Sequence, residues 1–433
     1  MFPTSVHWAK VRNYCRNFKN KSEVKKLTFN DCVRPVLLSC KLLGFLPLNG
    51  LVNTKHSGKR FNWVSLYTCF YVANFIWMTF CSLAKCIDKI AFGLGRKDIS
   101  GFVFSLNTLI SSLFLIKLAS KWNEKFQKIE ELEHLLPNPK TLKPTKIVQR
   151  IMIIIGISGL VEFLMYLVYT AYEADNALKQ VNVDYCLERY FVYSYDWYFN
   201  HFPFQCFIGI MLALSKCQAT CLRNLTDILV MSVTVYLCAR FSCFNRQLIQ
   251  EEKKARYTGF MPWSDLQKHY TQLTSLTLLL DEIINPFIFI SFSCNLIFIC
   301  KQIFSVIQFV LTQQEMNLTT NDDADLELLK INLDWEPVVY LAFSTLFVLM
   351  RAIMLSLFLA HHHTLTRAPL DILHTLPASA YNYKMQKFMD QVFHSQLGLS
   401  GLNFFYVTRE SILSVVATLI KYELVLLQFP ERE

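Results

Sequence analysis

Seven long apolar segments are the feature that most limits how this chain can fold. Each has roughly the 20 residues that a helix needs to cross the hydrocarbon core of a bilayer. We place them at 63–85, 99–119, 151–172, 203–239, 283–311, 335–360 and 400–429. Only 18% of the 433 residues are charged, whereas soluble domains have about a quarter. The sequence therefore predicts an all-α polytopic membrane protein with seven transmembrane helices.

The segments between the spans divide the chain into four parts. Residues 1–62 are polar and basic, and their apolar patch PVLLSCKLLGFLPLNGLV is too short and interrupted to span, which predicts an interfacial helix. Residues 63–360 are predicted to form a six-helix transmembrane bundle, and 361–399, which contain the amphipathic YNYKMQKFMDQVFHSQLG, a cytosolic anchor segment. Residues 400–433 form the seventh helix and a short extracellular tail.

Spans four and five are predicted to extend into the cytosol around residues 240–282. Apolar residues recur there at steps of three and four, which places them on one helix face: Leu266, Tyr270, Leu273, Leu276 and Leu280. We therefore expect the two extensions to pack against each other.

Lysine and arginine asymmetry predicts the orientation. The first 60 residues hold twelve Lys and Arg against two acids, whereas 312–336 hold one against seven. With seven spans, this bias places the N-terminus in the cytosol and the C-terminus outside. The sequon at Asn317 then lies in an outside loop and is predicted to be glycosylated, while those at Asn20 and Asn224 are predicted to be unused. A seven-span G-protein-coupled receptor has the opposite orientation.

The last segment carries a polar stripe. Ser414, Lys421 and Gln428 are seven residues apart and share one helix face, with Leu424 and Val425 nearby. Lipid satisfies none of these polar groups, so the stripe faces water or protein. Two interpretations stand: helix packing through small polar residues, or a pore lined by one helix from each subunit of an oligomer.

The C-terminal residues resemble those of insect gustatory receptors. The family's TYhhhhhQF signature, in which h is hydrophobic, is matched by Tyr422, Gln428 and Phe429. The sugar-receptor branch is similar also at Ser400-Gly401, Phe404-Phe405, Val407-Thr408-Arg409, Ile412-Leu413, and in the segments YELVLLQF, PWSDLQKHYTQL, FSCNLIFIC and LMRAIMLSLFLA. The resemblance covers the second half of the chain well and the first half mainly through topology and FLPLNG.

This resemblance implies a sugar-sensing, ligand-gated, non-selective cation channel in the plasma membrane of a sensory neuron. Four identical or related subunits would surround a central pore, with sugar bound in an outward-facing pocket of the first six spans. The implied pore residues are Ser414, Lys421, Leu424, Val425, Gln428 and Phe429.

Lys421 departs from the family pattern, which usually has threonine there. At roughly 8 Å and an effective dielectric constant near 20, two such ammonium groups repel by about 2 kcal/mol. Three arrangements relieve this repulsion: the lysine snorkels outward, desolvation favours its neutral form, or related subunits reduce the number of lysines. A fourth interpretation is a subunit with reduced function.

Sugar pockets combine aromatic walls with a few placed polar groups. Residues of both kinds occur together at the predicted outer ends of the spans, although aromatic residues there are more often an interfacial belt. The predicted ligand-binding residues are Glu162, Tyr166, Tyr169, Asp196, Trp197, His201, Asp334, Trp335 and Glu336.

Other features favour structural roles. The intramembrane charges Asp227 and Arg351 are expected to be structural partners of other groups. No cysteine or acid near His361-His362-His363 completes a metal site, so no metal is predicted. The sequence shows no phosphate loop, HExxH or nucleophile motif, which predicts neither an enzyme nor a cofactor. The net charge of +10 suits anionic lipid rather than nucleic acid.

Two classes of receptor and one of transporter remain as alternatives. A seven-span metabotropic chemoreceptor would place the N-terminus outside, and a non-conducting subunit would work only in heteromers. A transporter would show an inverted internal repeat, which we do not find in the sequence.

Overall fold

The structure is a computed structural model that describes most of the helical part of the chain. The described residues are 28–46, 66–91, 99–137, 144–178, 186–319, 335–376, 381–395, 397–411, 414, 417, 418 and 421. Leu424, Val425, Gln428, Phe429 and Asp334 lie outside them.

Ten helices and one small hairpin occur in the described residues. In chain order they are α1 (Phe29–Leu42), α2 (Leu66–Ala91), α3 (Ile99–Leu135), α4 (Pro144–Leu178), α5 (Cys186–Ser194), α6 (Asp196–Phe199), α7 (Cys206–Thr258), α8 (Trp263–Thr319), α9 (Trp335–His374), α10 (Tyr383–His394), β1 (Ser400–Gly401) and β2 (Phe405–Tyr406).

Six of these helices, α2, α3, α4, α7, α8 and α9, are long and apolar enough to cross a membrane. They correspond to the first six predicted spans. Helix α7 differs from the others because 89% of its most apolar stretch is buried inside the protein, against 17–39% in the other five. It packs against α1, α4, α8 and α9. Helix α7 is therefore the central helix, enclosed by protein rather than by lipid.

Helices α7 and α8 contain 53 and 57 residues, far more than the roughly 20 that a membrane span requires. Helix α7 ends at Gly259, whose left-handed backbone (φ 66°) donates its N–H to the carbonyl of Ala255 at 2.8 Å. Helix α8 begins four residues later. The predicted apolar face of α8 is completely buried, at 0% exposure for Leu266, Tyr270, Leu273, Leu276 and Leu280, which confirms that this segment packs as a helix.

The N-terminal helix α1 packs inside the protein. Thr28 caps it by accepting the N–H of Asp31 at 3.2 Å. Its apolar face packs mainly on α7, with Cys32 and Cys40 almost fully buried. Burial raises the pKa of each of these thiols to about 12. The apolar face predicted for the membrane interface is thus covered by protein.

A buried polar cluster fixes α1 and α3 to α7. The Glu133 carboxylate accepts the N–H of Phe29 at 2.7 Å, the Tyr236 hydroxyl at 2.6 Å and a guanidinium N–H of Arg240 at 3.2 Å. Arg240 also donates to the carbonyl of Pro137 at 3.2 Å. Because all of these groups have partners, the cluster satisfies the polar groups that α7 brings into the core.

Residues 400–406 form a hairpin rather than a helix, so the predicted start of the seventh span at residue 400 is wrong. Ser400 pairs with Tyr406, and Gly401 with Phe405, in an antiparallel hairpin. Leu402 and Asn403 adopt positive φ angles of 48° and 61°, which no right-handed helix contains. Helical backbone is described at 409–411, 414, 417–418 and 421.

Candidate functional site

A two-helix cap, formed by α5 and α6, covers the predicted outer ends of the spans. An aromatic cluster holds it there, in which Phe191, Tyr195 and Trp197 pack with Leu212 of α7. Gly209 lets α7 approach closely, because a Cβ at that position would lie 2.7 Å from the Phe191 ring. The cap is therefore packed into the bundle rather than being a solvated loop.

Polar contacts fix the rim of the cap on two sides. Burial and the carboxylate of Glu173 raise the pKa of the Tyr193 hydroxyl, which donates to that carboxylate. The pairs toward α2 are Lys89–Asp196 at 3.1 Å and His201–Asp88 at 3.4 Å; those toward α4 are Arg189–Asp175 at 3.1 Å and Tyr193–Glu173 at 3.4 Å.

Beneath the cap lies a cavity of about 70 Å³ between α2, α3 and α7. Its wall combines aromatic and apolar side chains with hydroxyl groups and two lysines. The lining residues are Met78, Cys81, Ser82, Lys85, Phe104, Ser105, Thr108, Ser194, Tyr195, Trp197, Leu212, Ser215, Lys216 and Ala219. This combination of aromatic surface and hydrogen-bonding groups is typical of a site for a small polar ligand.

Lys216 joins the cavity to an aromatic cluster on α4 and α9. Its amine donates to the Tyr166 hydroxyl and lies 4.0 Å from the centre of the Tyr166 ring. Tyr340 of α9 stacks on Tyr169, with ring centres 4.8 Å apart, and meets Tyr166 edge-on at 6.1 Å. A displacement of the Lys216 side chain would therefore act directly on the tyrosine contacts between α4 and α9.

The carboxylate of Glu162 belongs to the same helix, α4, as Tyr166 and Tyr169, and it also contacts α9. It accepts the Ser344 hydroxyl of α9 at 3.4 Å, and Gln302 of α8 donates to that hydroxyl at 3.0 Å. Glu162 is only 9% exposed, and this network links α4, α8 and α9. An acid inside a span is costly unless such partners satisfy it.

Arg351 and Asp227 pair with each other in the centre of the bundle. The Nε of Arg351 lies 3.0 Å from the Asp227 carboxylate. The two remaining guanidinium nitrogens donate to the side-chain oxygens of Asn224 and Asn295, each at 2.7 Å. Ser291 donates to the other oxygen of Asp227. The predicted structural role of both charges is thus confirmed.

The hairpin before the last helix is attached to α8. The Asp281 carboxylate accepts the backbone N–H of Ser400 at 2.8 Å and its hydroxyl at 2.7 Å. Phe404 and Phe405 pack on two phenylalanines of α8 at 5.7 Å between ring centres. Ser414 and Lys421 beyond the hairpin are both exposed.

The structure brings some predicted site residues together and separates others. Glu162, Tyr166 and Tyr169 lie in one cluster on α4, and Trp197 lines the cavity. Asp196 instead pairs with Lys89, and His201 contacts Asp88, at the rim. Trp335 and Glu336 begin α9 and are described only in their backbone, as is Asn317 in the last turn of α8.

Sequence reasoning missed Lys216, Arg223 and the cap. Lys216 and Arg223 are charges inside a predicted span, and this signal had already singled out Glu162. The cap residues stand in the segment 173–200, of which the sequence analysis singled out Asp196 and Trp197 as ligand-binding residues without predicting any helix.

Comparison with known proteins agrees with this architecture. The family model for the trehalose receptor matches residues 11–317 and 327–433. The Drosophila melanogaster gustatory receptor for sugar taste 64f is 25% identical over 420 residues, which cover 93% of this chain and 81% of that receptor. Gustatory receptor 5a for trehalose, from the same fly, is 24% identical over 443 residues, covering 98% and 89%.

Two solved structures share the fold. The insect olfactory receptor OR5 from Machilis hrabei aligns with a TM-score of 0.58 at 10% identity, covering 92% of this chain and 97% of that one. Its complex with eugenol aligns with a TM-score of 0.61 at 13% identity and the same coverage. Because the family model matches nearly the whole chain, the protein belongs to the trehalose receptor family, in the sugar branch of the insect gustatory receptors, and is a multi-pass protein of the plasma membrane of sensory neurons.

Proposed function

We propose that this protein is one subunit of a cation channel that a sugar opens. The observation that carries the proposal is the cavity beneath the cap, because it brings aromatic surface, hydroxyl groups and charged donors together. Each sugar presents C–H faces that stack on aromatic rings and hydroxyls that need hydrogen-bond partners. The sugar-taste relatives named above support a sugar as the ligand.

Binding would act by shifting an existing equilibrium between two arrangements of the spans. A ligand changes that equilibrium only through its different affinity for the two arrangements. Lys216 reaches α4 and α9 through the tyrosine cluster, and both pack on α7. Helix α8 also packs on α7, and its Asp281 holds the hairpin that precedes the last helix. These contacts form a continuous path from the cavity to the proposed pore.

Four subunits, identical or related, would place their last helices around the pore. Its lining would include Ser414 and Lys421, and further along Leu424, Val425, Gln428 and Phe429. In a homotetramer each pair of lysines would repel by about 2 kcal/mol at roughly 8 Å. A passing cation would meet a comparable barrier, so we favour assembly with related subunits.

Expression in an otherwise unresponsive cell tests the proposal. The protein is expressed alone and with a related subunit, and current is recorded while a panel of sugars is applied. A sugar-evoked, non-selective cation current is the expected result. Silence under every combination, with the protein confirmed at the cell surface, would refute the channel.

Lys421→Thr tests the proposed pore face. If the lysine faces the pore, removing its charge raises the sugar-evoked current and changes the selectivity between cations. Unchanged current and selectivity would show that the lysine points elsewhere.

Glycosylation mapping tests the proposed orientation. Modification at Asn317 and not at Asn20 is expected for a cytosolic N-terminus. Modification at Asn20 would reverse the topology and favour a metabotropic receptor.

A further inference from the structure

The turn between α7 and α8 ends in an exposed tip. Residues 256–260 are all exposed, and the aromatic side chains of Tyr257 and Phe260 on this tip are 93% and 72% exposed. A Cβ added at Gly259 would meet no atom within 4 Å. The tip is therefore accessible to another protein, in contrast to the buried apolar stretch of the same helix.

A hydroxyl group lies at the centre of this tip. Thr258 is the last residue of α7, and its hydroxyl donates to the carbonyl of Lys254 at 3.1 Å and accepts the N–H of Phe260 at 3.4 Å. Among the described residues, all of its hydrogen bonds are to these two near neighbours. Because helix ends fray, Thr258 can leave the helix without breaking any contact to another element.

Exposed basic residues precede this hydroxyl. Lys253, Lys254 and Arg256 lie five, four and two residues before Thr258. Lys254 and Arg256 each pair with a glutamate about one turn earlier on α7, but their side chains are 65% and 56% exposed. Exposed ion pairs contribute little to stability, so an acidic partner can draw both cations away from their glutamates.

These three properties together match what a basic-directed protein kinase needs from its substrate. Kinases select substrates partly through charge complementarity, so acidic groups in the kinase select basic residues beside the acceptor. The acceptor hydroxyl must also reach the catalytic aspartate of the kinase, which accepts its proton. Thr258 combines an exposed hydroxyl, preceding basic residues and a backbone position that can leave its helix.

We propose that Thr258 is a phosphorylation site for a cytosolic serine/threonine kinase that requires basic residues before the acceptor. The Thr258 oxygen attacks the γ-phosphorus of ATP, ADP leaves, and the hydroxyl proton passes to the catalytic aspartate of the kinase. This inference rests on the orientation in the proposed function. Residues 240–268 hold six Lys and Arg against three acids, which favours the cytosolic side, where ATP is available.

A phosphate at Thr258 would act on the end of the central helix. It adds a charge of about −1.5 to −2 at pH 7 beside the helix carbonyls, which carry partial negative charge. It also removes the hydroxyl proton that Thr258 donates to Lys254. The last turn of α7 should therefore open more often, with about two- to fivefold faster amide hydrogen exchange. Since α7 packs on α4, α8 and α9, this modification gives a cytosolic signal access to the proposed channel.

Mass spectrometry of the full-length protein tests the site in two settings. In one, the purified protein is incubated with ATP, Mg²⁺ and the catalytic subunit of cAMP-dependent protein kinase; in the other, intact cells express both proteins. Phosphate at Thr258 is expected in both. Thr271 is the matched control, because it is exposed and follows Lys268 by three residues, yet it lies inside α8 and accepts the amide of Gln391 at 3.0 Å. Thr271 should stay unmodified.

Variants identify the groups responsible. Arg256→Gln should lower the rate of phosphorylation at Thr258 by about 10- to 100-fold, the usual effect of losing a charged hydrogen bond. Arg246→Gln removes an equal charge about three turns earlier on α7 and should leave the rate unchanged. Thr258→Ser should keep the phosphate, whereas Thr258→Val should lose it.

Each outcome has a defined meaning. Absence of phosphate at Thr258 in both settings, phosphate at Tyr257 instead, or equal rates for Arg256→Gln and the wild type would overturn the inference while leaving a sugar-gated channel intact. Modification of the purified protein but not in intact cells would place the tip outside the cytosol, which would overturn the site and the proposed orientation together. A phosphorylated Thr258 in a protein that gives no sugar-evoked current would support the site and refute the channel.

Discussion

Replacing Asp227 by asparagine removes the charge that neutralises Arg351 without changing the size of the side chain. Arg351 is completely buried, so its guanidinium has no water to replace the lost carboxylate. Breaking a buried ion pair from one side costs about 3–5 kcal/mol. Asp227→Asn should fall near the lower value, about 3 kcal/mol, because the oxygens of Asn224 and Asn295 still accept hydrogen bonds from Arg351 at 2.7 Å.

Arg351→Met should cost more, about 5 kcal/mol, because it leaves the buried Asp227 side chain with the Ser291 hydroxyl as its donor among the described residues and deprives Asn224 and Asn295 of theirs. The double variant Arg351→Met/Asp227→Asn removes both charges. Its cost should therefore be well below the sum of about 8 kcal/mol for the two single variants.

Equilibrium unfolding in mixed micelles of increasing detergent strength measures these differences. A loss of about 3 kcal/mol increases the unfolded population roughly 100-fold, which such titrations resolve. Additive single variants, within about 0.5 kcal/mol, would show that the two side chains do not interact energetically and would refute the pairing argument. A wild-type unfolding curve for Asp227→Asn would refute it as well.

Three further outcomes follow from the packing, the thiols and the hairpin. Gly209→Ala places a methyl group against an aromatic ring of the cap and should destabilise the protein by about 1–3 kcal/mol. The control is Gly156→Ala, because no atom lies within 4 Å of a Cβ added there. It should be neutral or slightly stabilising in the same unfolding assay. Cys40 is buried and has a pKa of about 12, so it should react with maleimide at pH 8 about 1,000-fold more slowly than an ordinary thiol. Its reactivity should rise only as the pH approaches that pKa. Equal labelling of Cys40 and the exposed Cys206, measured by mass spectrometry, would contradict this prediction. Ser400→Ala deletes the hydroxyl bond to α8 and should shift the sugar concentration for half-maximal current by about two- to tenfold with unchanged surface expression; an unchanged dose–response curve would remove the hairpin from the proposed path.

The sequence predicts the helices better than it predicts what holds them together. The long apolar segments and the periodic face from Leu266 to Leu280 are local signals, and the structure confirms them. The hairpin at 400–406 was missed because its polar contacts are with α8, more than 100 residues earlier, and a short apolar run looks like a span by periodicity alone.

The sequence likewise indicates single residues of the candidate site but not the residues that they contact. The charge at Glu162 was noticed because an acid inside a span is costly, yet its partner Ser344 has no signal in the sequence. Trp197 and Asp196 are neighbours in sequence, but one lines the cavity and the other faces Lys89. Only the packing of α6 against α2 and of Trp197 against Leu212 separates their roles.

The enclosure of α7 by protein has a consequence for how the chain is made. Lys216, Arg223 and Asp227 lie in its apolar stretch, and a charge at the centre of a lone helix costs about 2.5–3.5 kcal/mol to insert, or roughly 8–10 kcal/mol for three. The partner of Asp227 is on α9, so at about 5–20 residues per second it leaves the ribosome roughly 6–25 s later. During that interval α7 is poorly suited to lipid. Stable integration of α7 therefore awaits the synthesis of α9, and truncation of the chain before α9 should leave α7 exposed to membrane quality control.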